Sequence, residues 1–68
     1  MKYAVIQCSN GNFSLVSEWT EKDKAIVNFH SVCTALWNAQ DVERATVVVV
    51  NECFGVEKTE FIKYDEQA

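Results

Sequence analysis

The amino-acid sequence predicts an α+β domain in which one helix packs on one face of a four-stranded sheet, in the order ββαββ. An Asn-Gly pair, Asn10-Gly11, joins two runs of strand-forming residues, which is the pattern of a tight β-hairpin. Apolar residues then recur at helical spacing over residues 20–39, and two further strand-like runs follow over residues 45–64. We expect a mainly antiparallel sheet of strand order 2-1-3-4 and a single domain over residues 1–68.

The first predicted hairpin spans residues 1–19. A two-residue loop at Asn10-Gly11 pairs Cys8 with Phe13, Ile6 with Leu15, and Ala4 with Ser17. Because side chains alternate along a strand, one face carries a strongly apolar set: Ala4, Ile6, Cys8, Phe13, Leu15 and Trp19. We expect this face to be the core. The half-apolar opposite face carries Tyr3, Val5, Gln7, Ser14, Val16 and Glu18.

The predicted helix spans residues 20–39. Thr20 can cap its start, and Glu21 and Asp23 lie in the first turn, where the helix dipole favours carboxylates. One broad apolar stripe consists of Ala25, Ile26, Phe29, Val32, Cys33, Leu36 and Trp37. Val27 falls on the solvent side, and Asn38 is a candidate left-handed stop.

The second predicted hairpin spans residues 45–64. Its first strand contains the run Val47–Val50, which lacks alternation, and its second strand, Val56–Tyr64, is more polar and suits a sheet edge. A loop of three residues and a loop of four residues remain alternatives for the turn, and they place different valines opposite Phe61. We expect residues 65–68 to fray.

The valine run puts branched aliphatic side chains on both faces of a central strand, whereas one helix covers only one face. An uncovered apolar face typically marks an interface, so we expect a second copy of the chain on it in a two-fold dimer. A monomer with a modest exposed patch is the alternative. The expected interface residues are Tyr3, Val5, Val16, Val47, Val49 and Phe54. Phe54 lies in a turn, where it either folds back over the sheet end or anchors a partner.

Charge and composition exclude several classes of protein. The formal net charge is −4 over 68 residues, which argues against direct binding to nucleic acid or to an anionic membrane. The longest apolar run is too short to span a bilayer, and no signal-peptide pattern follows Met1. Three cysteines cannot form a closed set of disulfides in one chain. We therefore expect a cytoplasmic protein with reduced thiols.

The sequence contains little that indicates a catalytic or metal-binding site. His30 and Cys33 lie at neighbouring positions of the helix, but their spacing matches no strong zinc pattern. Cys33 falls inside the apolar stripe, where a thiolate is disfavoured, and the two glycines, Gly11 and Gly55, are isolated turn residues. We expect no catalytic residue, no metal and no cofactor, and hence no enzyme.

Five short strings carry a resemblance in layout: N-G-N-F at the first turn, Ala25–His30, Ala35–Trp37, Thr46–Glu52 and Glu60–Ile62. Together they resemble short uncharacterised proteins of gut Firmicutes and their prophages. The resemblance implies a bacterial origin and a ββαββ module, and it brings no activity and no functional residue. Asn51 stands where those chains tend to have Asp.

We therefore expect a small interaction module that acts as a homodimer through its open sheet face. The alternative is a phage-derived acidic inhibitor that occupies a basic nucleic-acid-handling complex by complementary charge. A metal-binding or thiol-active protein is a third hypothesis. The acidic residues that the inhibitor would use form two loose groups: Glu18, Glu21 and Asp23, then Glu57 and Glu60.

Overall fold

The chain forms a four-stranded sheet and one helix in a computed structural model that describes residues 1–63. The elements are β1 (Tyr3–Ser9), β2 (Asn12–Trp19), α1 (Lys22–Asn38), β3 (Ala45–Asn51) and β4 (Val56–Ile62). All neighbouring strands are antiparallel and their order is β2-β1-β3-β4, so the predicted fold class and strand order are confirmed. The expected end of the last strand at Tyr64 and the expected fraying of residues 65–68 lie outside the described residues.

The first turn forms as predicted, and its Asn10 side chain also binds the backbone of the loop before β3. Asn10 and Gly11 have φ angles of 50° and 87°, the positive values that a type I′ turn requires. The Asn10 side chain accepts hydrogen bonds from the backbone N–H groups of Glu43 (2.9 Å) and Arg44 (3.3 Å), and it donates one to the Asp41 carbonyl (3.1 Å). The turn residue therefore fixes the loop that leads into β3.

The register of the first hairpin changes halfway along it. Cys8 pairs with Phe13 and Ile6 pairs with Leu15, as predicted, but Val5 then pairs with Ser17. Val16 is an extra residue in β2, which is the definition of a β-bulge. The predicted pairing of Ala4 with Ser17 is therefore wrong, and the side chains of β2 beyond the bulge exchange faces.

The helix covers the opposite face of the sheet from the one expected. Val5, Val47 and Val49 are fully buried beneath it, whereas Phe13 and Leu15 are exposed. The core consists of Val5, Ala25, Phe29, Cys33, Leu36, Ala45, Val47, Val49 and Ile62. Because the side-chain period of a strand is two, reversing the choice of face exchanges every inward residue for an outward one.

The N-cap of α1 lies one residue later than the expected Thr20, and its first helical residue is Lys22. Glu21 is the N-cap, because its carbonyl accepts the first helical hydrogen bond from Ala25 N–H (3.2 Å), and it makes no side-chain cap. Thr20 therefore does not cap the helix. Asp23 lies in the first turn, as expected, where its charge complements the helix dipole.

The end of α1 is extended and not left-handed. Ala39 has φ −75° and ψ 133°, and its N–H donates to the Leu36 carbonyl at 3.3 Å. The Lys63 ammonium group donates to the Ala39 carbonyl. This cation satisfies a backbone acceptor at the helix C-terminus. The helix ends at Asn38, but the expected left-handed conformation of Asn38 is wrong, because the positive φ angles of non-glycine residues within residues 1–63 are those of Asn10, Phe54 and Lys63.

Candidate functional site

The uncovered side of the sheet, here called the open face, consists of three rows of side chains that run across the four strands. The strand registers place the following residues side by side, in the strand order β2, β1, β3, β4. The first row is Phe13, Cys8, Thr46 and Phe61, the central row is Leu15, Ile6, Val48 and Thr59, and the third row is Glu18, Ala4, Val50 and Val56. Cross-strand neighbours share a face, so these rows form one continuous and mainly apolar surface.

Aromatic side chains dominate the exposed area of the open face. Phe13 is 81% exposed and Phe61 is 58% exposed, and they stand at the two edges of the first row. Leu15 and Val56 are also exposed. Single exposed apolar residues are ordinary on protein surfaces, but a contiguous set of this kind is typical of an interface.

Two shallow depressions divide the open face and meet at Ile6. The depression at the first row has a volume of about 310 Å³ and is lined by Ile6, Cys8, Phe13, Thr46 and Val48. The other lies at the third row, has a volume of about 360 Å³, and includes Ile6, Leu15, Val50 and Phe54 in its apolar lining. Lys2, Glu18 and Glu52 contribute to its polar rim, and the Lys2 ammonium lies 2.9 Å from the Glu18 carboxylate.

Most of the residues expected at the interface lie elsewhere. Val5, Val47 and Val49 are buried under α1, and Tyr3 packs against the same core. Val16 is the bulge residue of β2 and is just exposed. The expected interface positions of Val5, Val47 and Val49 are therefore wrong, because they followed from the reversed choice of face.

Phe54 alone among the expected residues is both strongly exposed, at 79%, and part of a depression on the open face. The residues that sequence reasoning missed are Phe13, Leu15, Val56 and Phe61. The apolar pattern of the first hairpin predicts Phe13 and Leu15 in the core, whereas the structure exposes both. Their large apolar side chains indicate burial against some partner, but the strand pattern does not indicate which face of the sheet the helix covers.

A network around Asn51 fixes the turn that carries Phe54. Asn51 Oδ1 accepts hydrogen bonds from the backbone N–H groups of Cys53 (2.8 Å) and Gly55 (2.9 Å), and Nδ2 donates to Glu57 Oε2 at 3.1 Å. A Cβ atom on Gly55 would lie 2.7 Å from Asn51 Nδ2, which explains the glycine. Phe54 itself has φ 61°, a left-handed conformation that costs a residue with a Cβ roughly 1–2 kcal/mol.

Glu57 connects this turn to the helix. It is the extra residue of a second β-bulge, since Val49 pairs with Lys58 and Val50 pairs with Val56. Its Oε1 lies 3.0 Å from Lys22 Nζ. The hydrogen bond from Lys22, and then the one from Asn51, lower the pKa of the Glu57 carboxyl, and the same pair raises the pKa of Lys22.

The candidate chemical residues lie apart from the open face. His30 is exposed on α1, with its ring edge-on to Phe29 at a centroid distance of 5.3 Å. Cys33 is buried, and burial raises the pKa of its thiol to about 11. Within residues 1–63, no group of three or more His, Cys, Asp or Glu side chains is placed to hold a metal ion. The helix in the described part of the chain is not long and apolar enough to cross a bilayer.

No family model, no curated protein and no solved structure matches this chain. The resemblance in layout to short ββαββ proteins of gut Firmicutes and their prophages therefore stays a prediction.

Proposed function

We propose that the protein is a non-enzymatic interaction module whose open face is its binding surface, with a second copy of the chain as the partner. The observation that carries the proposal is the first row, where Phe13 and Phe61 are 81% and 58% exposed on the side of the sheet opposite the helix. Burying aromatic rings of this size provides a large driving force for association.

The polarity of the open face supports a protein partner. Its centre at Ile6 and Val48 is aliphatic, and the charged pair Lys2 and Glu18 stands at its rim. An apolar centre with a polar rim is the usual anatomy of a protein interface. Nucleic acid would need a cluster of Lys and Arg on the same surface, and the formal net charge of the chain is −4.

The positions of the reactive groups support a non-enzymatic role. The His30 imidazole lies on the helix, while Cys8 lies in the first row of the open face on the other side of the sheet. Cys33 is buried with a raised pKa, so its thiol is a poor nucleophile at neutral pH. A nucleophile and a base within hydrogen-bond reach, which covalent catalysis requires, are not brought together by these three residues.

The acidic inhibitor is the less favoured proposal. It needs carboxylates that are free to meet a basic partner. Glu18, Glu21 and Glu57 each lie within 4.0 Å of a lysine ammonium, those of Lys2, Lys24 and Lys22 respectively. This partial internal neutralisation favours the interaction module.

Sedimentation equilibrium tests the proposal. At micromolar concentration the wild-type chain is expected to have twice the mass of one chain, and Phe13→Ser is expected to shift the protein towards the mass of one chain. Val27→Ser is the matched control, because Val27 is exposed on the solvent side of α1, and it should leave the mass unchanged. A wild-type mass of one chain across the accessible concentrations would contradict the proposal.

A further inference from the structure

The two ends of the open face have opposite shapes. At the first row, Cys8 and Thr46 stand between Phe13 and Phe61 in the strand register, and with Phe13 they line the first-row depression. We call this feature the saddle. At the other end, the turn after β3 presents Phe54, which borders the third-row depression and is 79% exposed. We call this side chain the knob.

The knob is held in place at an energetic cost. Phe54 has a left-handed backbone conformation, which Gly or Asn adopts with less strain. The Asn51 side chain binds the N–H groups on either side of it, at Cys53 and Gly55, so the turn is fixed independently of the Phe54 side chain. Strain of this kind persists where the surrounding structure imposes it and where it serves a function.

In a two-fold dimer every contact occurs twice, because the same two surface patches meet in both directions. A knob that fits a hollow on the same face can therefore form a closed pair of chains. The first and third rows each lie two residues, or about 7 Å, from the central row. A two-fold axis that runs across the strands through Ile6 and Val48 would therefore lay the knob end of one copy on the saddle end of the other. An axis along the strands would instead set knob against knob and leave both saddles empty.

We infer that two copies associate face to face about the axis across the strands, with Phe54 of each copy seated in the saddle of the other. This inference rests on the proposed function and specifies its geometry. Since the axis preserves the strand order, Phe54, which follows β3, reaches the partner's saddle on β1 and β3.

The area of the open face is adequate for this dimer. An aromatic side chain contributes about 150–250 Å², so the exposed fractions of Phe13, Phe54 and Phe61 correspond to roughly 300–500 Å². An interface of standard size removes about 800 Å² from each partner. That is about one sixth of this chain's accessible surface of 4666 Å². The exposed aliphatic side chains of the same face, Leu15 and Val56, add to this area.

Two native thiols report on the geometry. Cys8 is part of the saddle, and the exposed Cys53 precedes Phe54. Cys8 pairs with Thr46, and Thr46 is separated from Val50 by about 13 Å along β3, so a bismaleimide shorter than this cannot join Cys8 to Cys53 within one chain. Cys33 is buried with a raised pKa and does not compete.

The dimer is treated briefly with an excess of such a bismaleimide, which reacts at the exposed Cys53 because the seated Phe54 covers Cys8. After the excess is removed, the tethered maleimide reacts with the partner's thiol as the dimer opens and recloses, and peptide mapping identifies the cross-link. We expect a covalent dimer in which Cys8 of one chain is joined to Cys53 of the other, and Cys53→Ser should abolish it. A dimer joined only through Cys8 to Cys8 or Cys53 to Cys53 would overturn the geometry and leave the proposed function standing. A single-chain mass before cross-linking would overturn both.

Phe54→Asn separates binding from folding. Asn accepts the left-handed backbone, so the unfolding midpoint measured where the protein is monomeric should be unchanged or higher. The dissociation constant of the dimer should rise at least tenfold, as expected for a central aromatic anchor. Val27→Asn is the control, with an unchanged dissociation constant. A Phe54→Asn variant that dimerises like the wild type would overturn the inference.

Discussion

Replacing Asn51 tests whether one amide side chain stabilises the turn that carries Phe54. In Asn51→Ala the N–H groups of Cys53 and Gly55 lose their shared acceptor, Asn51 Oδ1, which lies 2.8 and 2.9 Å from them. A hydrogen bond of this type contributes about 0.5–1.5 kcal/mol net. Both N–H groups are near solvent, so we expect a loss of about 1–2 kcal/mol in the free energy of unfolding.

A loss of this size is large for so short a chain. One kcal/mol shifts the melting temperature of a domain of this length by about 4–8 °C, so Asn51→Ala should lower it by roughly 5–15 °C. Urea denaturation followed by tryptophan fluorescence, at one fixed protein concentration, measures the change. Asn12→Ala, at an exposed strand position, is the matched control and should stay within about 0.5 kcal/mol of wild type.

Asn51→Asp adds a dependence on pH. The new carboxylate keeps the acceptor for the two backbone N–H groups but replaces the amide that donates to Glu57 Oε2. The lowered pKa of Glu57 in the wild type means that this carboxylate stabilises the fold above pH about 4.5 and loses that effect as the pH falls through its folded pKa. In Asn51→Asp a second carboxylate lies beside that of Glu57. The repulsion between the two charges raises the pKa of the carboxyl groups and destabilises the fold while both are charged.

We therefore expect Asn51→Asp to be less stable than wild type at pH 7 and the difference to narrow at pH 4. Equal stability of Asn51→Ala and Asn12→Ala at pH 7 would refute the role assigned to the amide. A deficit of Asn51→Asp that is the same at both pH values would refute the electrostatic part.

Two further predictions concern the core. Phe29→Ala removes a fully buried ring from the centre of the helix–sheet contact and should lower the free energy of unfolding by about 3–5 kcal/mol. The circular dichroism of this variant at 25 °C should therefore show a largely unfolded population, whereas that of Val27→Ala should not. The raised pKa of Cys33, about 11, predicts that the free energy of unfolding falls as the pH rises from about 9 to about 11. The reason is that the unfolded chain releases the thiol proton at a lower pH than the folded chain does. A Cys33→Ala variant whose free energy of unfolding falls equally steeply with pH over that range would contradict this.

Local signals were sufficient to predict the element order and the first turn. The Asn10-Gly11 pair gives positive φ angles at both positions, and the pairs next to it follow directly from the turn type. The second function of Asn10, which binds the loop at residues 41–44, joins positions that are distant in sequence. A rule based on neighbouring residues has no access to such a contact.

The choice of face could not be predicted in the same way. Alternation along a strand shows which residues share a face, but when both faces are apolar it does not show which face the helix covers. The run Val47–Val50 fits either choice. Large side chains at Phe13 and Leu15 suggested a core, yet the helix covers the valines, and Ala25 and Phe29 pack against them. The bulges at Val16 and Glu57 add a second difficulty, because each one reverses the alternation within a single strand.

The two bulges also bear on how the protein behaves at high concentration. Within residues 1–63 the outer strands of the sheet are β2 and β4, and each contains one of the bulges, at Val16 and at Glu57. An interrupted edge is a poor template for another strand, and the charged side chain of Lys58 on β4 discourages pairing further. Growth of a fibril by edge-to-edge addition of strands is therefore disfavoured.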